Sequence, residues 1–156
     1  MEIIVGIGEC AVSNQAEAKL KTFALASCVA VTAYSKIRKA AGMVHIALPS
    51  PPSEEAARQR PAYYASTGLA LLLDKMHREF GCLRTELQIG VFGGADSARD
   101  RDYFSIGKKN IAAVMSQLSA MSLTVNSIEV GGDVSRTVEM DVATGKVTIT
   151  TQPILI

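Results

Sequence analysis

Cys28 and His45 have the types and spacing of a nucleophile and its base. Cys28 follows Ala26 and Ser27, whose small side chains would let a substrate approach. A bend at that point would direct backbone N–H groups toward an oxyanion. His45 is one of two histidines in the chain and lies in the apolar segment 44–48. The pair indicates a cysteine hydrolase, although a lone cysteine beside apolar residues is more often an inert core residue.

The distance between these two side chains depends on a predicted hairpin. Residues 29–34 and 42–48 have strand composition and flank a polar turn at 35–39. If the turn is centred between Ile37 and Arg38, His45 opposes Ala30. His45 is then the same-face diagonal neighbour of Cys28, roughly 7 to 8 Å away between backbones. A slip of one residue would place the two side chains on opposite faces of the sheet.

A Cys-His pair usually needs a third group that holds the imidazole tautomer. On the predicted strand 19–25 and the bend after it, the polar candidates are Thr22 and Ser27, and Thr22 fits better. The alternative is that Thr22 is an ordinary β-branched strand residue. The second histidine, His77, lies on the polar side of a predicted helix, where we expect it to be exposed and without a role.

The segment 6–11, Gly-Ile-Gly-Glu-Cys-Ala, fits a phosphate-binding loop if a helix follows it. A dinucleotide fold also needs an acidic residue some twenty positions later, but no acid lies between Glu17 and Glu54. We therefore expect a tight structural turn here and no bound nucleotide.

The elements around these residues predict an α+β fold with two main helices and a mixed sheet. Apolar residues at helical spacing predict a helix over 65–80, between Pro61 and Gly81, and a second over 106–121 that Ser105 caps. Strand-forming composition predicts strands at 3–7 and 123–129. Alternating residues predict a strand at 87–91 and the first strand of a hairpin formed by 137–142 and 146–150.

Composition favours one globular domain spanning 1–156. The chain carries 16 basic and 15 acidic residues, a net charge of +1, so we expect no nucleic-acid partner. We find no secretory signal and no apolar run long enough to cross a bilayer, so we expect a protein that is not embedded in a membrane. Three cysteines without a CxxC pair argue against disulfides and a zinc site, and favour the cytoplasm.

The run Thr-Phe-Ala-Leu-Ala-Ser-Cys-Val-Ala-Val at 22–31, followed by His-Ile-Ala-Leu-Pro at 45–49, resembles the active-site stretch of the chemoreceptor glutamine deamidases, the CheD family. In that family a Thr lies six residues before the nucleophilic Cys, and the His lies seventeen after it. Thr22, Cys28 and His45 match this spacing. The resemblance continues over nearly the whole chain, through the segments 3–9, 93–95, 106–110, 130–132 and 144–145.

The resemblance implies a layered α/β/β sandwich similar to the catalytic domain of the cytotoxic necrotizing toxins. It also implies catalysis by Cys28, His45 and Thr22 without a metal or cofactor. The substrates would be glutamine side chains on the cytoplasmic helices of methyl-accepting chemoreceptors, which become glutamates. Residues beside the nucleophile, and in a later glycine turn, would contact the substrate: Ala26, Ser27, Gly93 and Gly94.

Some positions depart from the family pattern. Ala24 and Ala26 stand where glycines are common, and Asp96-Ser97 replaces an apolar pair in the loop that contacts a CheC-type phosphatase in related proteins. A CheC-type partner is therefore a weaker expectation than the receptor. Two alternatives stay open: a non-catalytic chemotaxis adaptor that binds receptor helices or a phosphatase through the same groove, and a cysteine hydrolase that acts on a small amide.

Overall fold

The computed structural model of the chain describes residues 1–96 and 105–154. This part of the chain contains nine strands and three α-helices. The helices are α1 (Glu54–Gln59), α2 (Ala65–Phe80) and α3 (Ile106–Ala120). The strands are β1 (Glu2–Ile4), β2 (Cys10–Ser13), β3 (Lys19–Leu25), β4 (Val29–Ser35), β5 (Ala40–Ile46), β6 (Leu87–Gly93), β7 (Val125–Val130), β8 (Val134–Asp141) and β9 (Val147–Pro153).

The strands form two mixed sheets. The four-stranded sheet has the order β1-β3-β8-β9, and the five-stranded sheet has the order β2-β5-β4-β6-β7. The β1–β3 and β6–β7 pairs are parallel, and the remaining pairs are antiparallel. The predicted α+β class with two main helices is confirmed. The residue patterns alone suggest one mixed sheet, whereas the chain divides its strands between two.

The five-stranded sheet lies between the helices and the other sheet. Along β4, Val29, Val31 and Ala33 pack in one apolar cluster with α2 and α3. Ala30 and Tyr34 pack in a second cluster with residues of the four-stranded sheet. Because successive side chains point to opposite faces of a strand, this division places β4 in a middle layer. The three layers are helices, five strands and four strands.

The helix that the sequence predicts most clearly is α2. Its buried side chains include Leu69, Leu72 and Met76 at spacings of three and four. Gly81 ends it in the left-handed conformation, with a φ of 72°. The short α1 was not predicted, because its six residues bury no side chain and so show no apolar periodicity. None of the helices within the described ranges is long and apolar enough to cross a membrane.

Both predicted hairpins form. In the first, β4 and β5 pair with Ala30 opposite His45, which is the predicted register. In the second, β8 and β9 pair antiparallel and extend further than the predicted strands. The helix α3 begins directly after Ser105, as predicted, but Ser105 is in the left-handed conformation and its side chain does not make the predicted capping hydrogen bond.

Candidate active site

Cys28 lies where the chain bends into β4. Ala26 and Ser27 form the bend, and all three residues are half-buried. Cys28 packs against the apolar cluster between the two sheets, on the same face of β4 as Ala30. The thiol is therefore at the end of the five-stranded sheet and directed toward the four-stranded sheet.

His45 lies on the adjacent strand β5, opposite Ala30. Cys28 precedes Ala30 by two residues, so His45 is its diagonal neighbour on the same face of the sheet. The predicted register is confirmed, and with it the shared face of the two side chains. His45 is 3% exposed, although it is the kind of polar residue that is usually partly solvated.

Thr22 holds the imidazole from the opposite sheet. Its hydroxyl oxygen lies 2.7 Å from His45 Nδ1 and 2.6 Å from the carbonyl oxygen of Val5. A carbonyl only accepts, so the single hydroxyl proton of Thr22 is donated to Val5. His45 Nδ1 must then carry a proton and donate it to the Thr22 oxygen. This chain of bonds fixes the neutral tautomer with the lone pair on Nε2.

His45 Nε2 is buried and has no hydrogen-bond partner among the described residues. A buried acceptor without a partner is unfavourable, and such atoms are rare in folded proteins. In His45 the unpaired atom is the ring nitrogen that would accept a proton if the imidazole acts as a general base. The arrangement leaves a lone pair available for a proton from the thiol or from a substrate.

Burial favours the neutral forms of both groups. It raises the pKa of the Cys28 thiol above its usual value of 9.0. Burial lowers the pKa of His45 from 6.5 to about 4. The Val5 backbone carbonyl and the nearby Glu9 carboxylate oppose that shift, because both favour the charged imidazole. The resting pair is therefore a thiol and a neutral imidazole. Proton transfer between them would accompany the reaction and would not precede it.

The segment 6–9 forms a turn that packs against His45. Gly8 N donates to the His45 carbonyl at 2.9 Å, and His45 N donates to the Glu9 carbonyl at 3.0 Å. The strand β2 follows the turn, so the helix that a phosphate-binding loop requires is absent from this position. The tight-turn interpretation is correct. Gly8 and Glu9 support the backbone of His45, a role that the motif did not suggest.

The four predicted substrate-binding residues lie together around Cys28. Gly94 N donates to the Cys28 carbonyl at 2.8 Å, and Ala95 N donates to the Ala26 carbonyl at 2.7 Å. At Gly93 a Cβ atom would collide with the Cys28 carbonyl oxygen, so only glycine allows this close approach. The departures at Asp96 and Ser97 follow directly, but Ser97 lies outside the described residues.

Asn110 is a further polar residue that contacts this region. Its Nδ2 donates to the carbonyls of Ser27, at 2.9 Å, and Ala47, at 3.0 Å. Asn110 belongs to the segment 106–110 that resembles the family, but the sequence predicted no role for it. One feature of the sequence could have indicated a role for Asn110: it is a polar residue on the buried face of α3, four residues before Val114. Within residues 1–96 and 105–154, no group of three or more His, Cys, Asp or Glu side chains could hold a metal ion.

A half-buried cysteine beside a buried histidine that a hydroxyl orients is the arrangement of a thiol hydrolase. The family model "CheD chemotactic sensory transduction" matches residues 47–151. The chain belongs to the CheD family, as the resemblance in sequence indicates. The matched range begins after Thr22, Cys28 and His45.

Several relatives match almost the whole chain. "Probable chemoreceptor glutamine deamidase CheD" of Syntrophotalea carbinolica is 42% identical over an alignment of 151 residues that covers 95% of this chain and 93% of the relative. The protein of the same name from Pyrococcus abyssi is 36% identical over 94% of this chain and 89% of its own length. "Chemoreceptor glutamine deamidase CheD" of Bacillus velezensis is 33% identical over 88% of this chain and 83% of its own.

One solved structure shares the fold at low sequence identity. The crystal structure of the Bacillus licheniformis hypothetical protein YfiH superposes with a TM-score of 0.50 and 14% identity. The match covers 79% of this chain and 49% of that one, so this chain spans about half of that protein. The likeness concerns the fold alone.

Proposed function

We propose that this protein deamidates glutamine side chains of chemoreceptors to glutamate, with Cys28 as nucleophile, His45 as base and Thr22 as the residue that orients His45. The observation that carries the proposal is the unpaired, buried Nε2 of His45, on the same sheet face as Cys28, in a member of the CheD family. The names of the full-length relatives supply the substrate class.

In the first step His45 Nε2 takes the thiol proton as the Cys28 sulfur attacks the carboxamide carbon. A C–S bond forms, and the carbonyl oxygen becomes an oxyanion. Backbone N–H groups at Cys28 and a neighbour would stabilise it. Because the resting pair is neutral, charge develops only when substrate is present. Thr22 accepts the hydrogen bond from Nδ1–H throughout and so stabilises the imidazolium that forms.

In the second step the imidazolium donates its proton to the amide nitrogen, and ammonia leaves as the C–N bond breaks. The product is a thioester between Cys28 and the glutamyl side chain. His45, again neutral, accepts a proton from water, and the resulting hydroxide attacks the thioester. The C–S bond breaks, Cys28 recovers its proton, and glutamate is released. No step needs a metal or a cofactor.

The substrate would be the cytoplasmic helices of methyl-accepting chemoreceptors, so the protein would act in the cytoplasm. The layer order of the fold agrees with the similarity expected to the catalytic domain of the cytotoxic necrotizing toxins. Binding of a CheC-type phosphatase stays a prediction, because the loop expected to contact it continues beyond Asp96 into residues outside the described ranges.

Mass spectrometry of a receptor cytoplasmic fragment tests the proposal. The fragment is incubated with the unmodified protein, with Cys28→Ala and with Cys10→Ala, and peptides are searched for the mass shift of amide-to-acid conversion. Cys10 is the matched control, because this half-buried cysteine packs toward the helix layer and burial raises its pKa to about 12.

We expect conversion by the unmodified protein and by Cys10→Ala, and none by Cys28→Ala. Conversion by the Cys28→Ala protein would overturn the assignment of the nucleophile. A lack of conversion by every form, on receptors from the same cell, would favour the non-catalytic adaptor.

A further inference from the structure

Asn110 joins three parts of the structure at the nucleophile. It lies in the second turn of α3, and its side chain is completely buried. Its Nδ2 donates to the carbonyl of Ser27, directly before Cys28, and to the carbonyl of Ala47, just after β5. These carbonyls lie beyond the ends of β4 and β5, where regular strand pairing has stopped. The side-chain amide therefore replaces the missing inter-strand bonds.

A close backbone contact brings Asn110 to this position. A Cβ atom at Gly107 would lie 2.5 Å from the Ala95 carbonyl oxygen and 2.6 Å from that of Gly94. Such distances leave no room for a side chain, so the first turn of α3 packs directly on the turn after β6. Gly107 and Asn110 are three residues apart and share one face of the helix. The contact at Gly107 thus sets how closely α3 approaches the sheet, and this brings the Asn110 side chain within hydrogen-bond distance of the Ser27 and Ala47 carbonyls.

The Ser27 carbonyl and the Cys28 N–H belong to one peptide group. That group is planar and trans, so its C=O and N–H point in opposite directions. A hydrogen bond that holds the Ser27 oxygen toward α3 also fixes the direction of the Cys28 N–H, away from α3. The Cys28 side chain faces the four-stranded sheet, which is also the side away from the helices. Among the described residues, no backbone carbonyl accepts a hydrogen bond from the Cys28 N–H.

The orientation of the Asn110 amide follows from its partners. Both are carbonyl oxygens, which only accept, so the amide nitrogen must face them. The Oδ1 atom is then buried without a hydrogen-bond partner in the described part of the chain. An asparagine kept only for stability would gain from a partner at Oδ1. The two bonds from Nδ2 are the interactions that determine its position.

We propose that Asn110 is a positioning residue for the reaction: it directs the Cys28 N–H at the oxyanion that forms on the substrate carbonyl. The inference rests on the proposed function, since it assigns a role within the same site. Asn110 contacts neither the thiol nor the imidazole and would act through the Ser27–Cys28 peptide group alone.

Two reactions of Cys28 separate oxyanion positioning from a general effect on the thiol. Iodoacetamide alkylates the sulfur by displacement at a methylene carbon. The S–C bond forms, iodide leaves, the thiol proton passes to water, and no oxyanion develops. A receptor peptide with an aldehyde in place of one glutamine carboxamide adds the thiol reversibly. The S–C bond forms, the thiol proton moves to oxygen, and that oxygen occupies the place of the oxyanion.

The variants are Asn110→Ala and the milder Asn110→Ser, whose hydroxyl donates a single hydrogen bond. The matched control is Asn126→Ala, because Asn126 Oδ1 also binds backbone, accepting from Ile89 N at 2.7 Å, but in a different part of the sheet. For each protein we would measure aldehyde affinity, the alkylation rate of Cys28 by peptide mass spectrometry, kcat and KM for receptor deamidation, and the melting temperature.

For Asn110→Ala we expect aldehyde affinity and kcat to fall about tenfold to a hundredfold, in line with the loss of one oxyanion donor or less. We expect its KM and alkylation rate to stay within about twofold, and Asn110→Ser to fall between it and the unmodified protein. Asn126→Ala should match the unmodified protein in both reactions.

Unchanged aldehyde affinity in Asn110→Ala, or a parallel loss of affinity and alkylation rate, would overturn the positioning role. If Asn110→Ala does not fold, the same criteria apply to Asn110→Ser. If the variants differ in aldehyde affinity as expected but the unmodified protein deamidates no receptor, the proposed function is overturned and the role of Asn110 is supported. An unmodified protein that does not bind the aldehyde would overturn the role.

Discussion

The hydroxyl of Thr22 and the imidazole of His45 meet across the interface between the two sheets, 2.7 Å apart. Thr22 lies on β3 of the four-stranded sheet, and His45 lies on β5 of the five-stranded sheet. The thiol comes from the same sheet as the imidazole, and the orienting group comes from the other. The tautomer of His45 therefore depends on how the sheets pack, and the apolar cluster between them supports the site.

This relationship predicts different results for two conservative changes at Thr22. Thr22→Ser keeps the hydroxyl, so kcat for deamidation should stay within about threefold. Thr22→Val keeps the shape but removes the acceptor for Nδ1–H and the donor to the Val5 carbonyl. We expect kcat to fall about tenfold to a hundredfold, because the fixed tautomer is lost. Steady-state kinetics on a receptor fragment would measure both.

Folding must be compared in the same experiment. Thr22→Val leaves two buried polar groups unpaired, which costs about 1 to 3 kcal/mol for each group. Melting temperatures of both variants would show whether the folded fraction stays complete at the assay temperature. Equal kcat values for the Ser and Val proteins, with both folded, would show that the hydroxyl does not orient His45.

Local patterns predict much of the fold. Residues close together in sequence determine three predicted features, and all three predictions are confirmed. These are the apolar face of α2, the end of that helix at Gly81 and the register of β4 with β5. The division into two sheets is set by pairings between distant segments, such as β3 with β8. Alternation along a strand predicts which residues share a face but does not specify the partner strand.

The same difference between local and distant contacts applies to the candidate site. The shared face of Cys28 and His45 follows from one hairpin and could be predicted. The Thr22 contact requires the packing of two sheets, so the residues alone suggested Thr22 only as the better of two polar candidates. Asn110 comes from a helix 83 residues after Ser27, and no local pattern connects the two. Its contact could be found only in three dimensions.

The burial of His45 predicts a pH dependence of stability. Its pKa is lowered from 6.5 to about 4, so between these values the unfolded chain binds a proton that the folded chain does not. Stability from this group is full above pH 6.5 and is lost as the pH falls toward 4. At pH 4.5 the loss should be about 2 to 3 kcal/mol.

Urea unfolding at pH 7 and pH 4.5 would measure this loss. Other groups also titrate in this range, so the quantity to compare is the change between the two pH values in each variant. His45→Gln should show a change smaller by that amount. Equal changes for the unmodified protein and His45→Gln would contradict the buried neutral state.

Near its end, before the bend at Ala26 and Ser27, β3 contains a residue in an unfavourable backbone conformation. Ala24 has a φ of 52°, in the left-handed region where a Cβ atom costs about 1 to 2 kcal/mol. Ala26 is not among the residues with positive φ. Ala24→Gly should therefore raise the free energy of unfolding by about 0.5 to 1 kcal/mol, because relief of strain exceeds the added flexibility of the unfolded chain. Ala26→Gly gains no such relief and should lower it by about 0.5 to 1 kcal/mol.

Opposite signs for these two variants, measured by urea unfolding under one condition, would show that the strain lies at residue 24. A lower free energy of unfolding in both variants would indicate that neither alanine is strained. Ala24 lies two residues after Thr22, at an irregularity in the pairing of β3 with β8 between Thr22 and Leu25. If relief of the strain also lets Thr22 move, Ala24→Gly should lower kcat while it raises stability. An unchanged kcat would show that the Thr22–His45 hydrogen bond does not depend on the backbone conformation of residue 24.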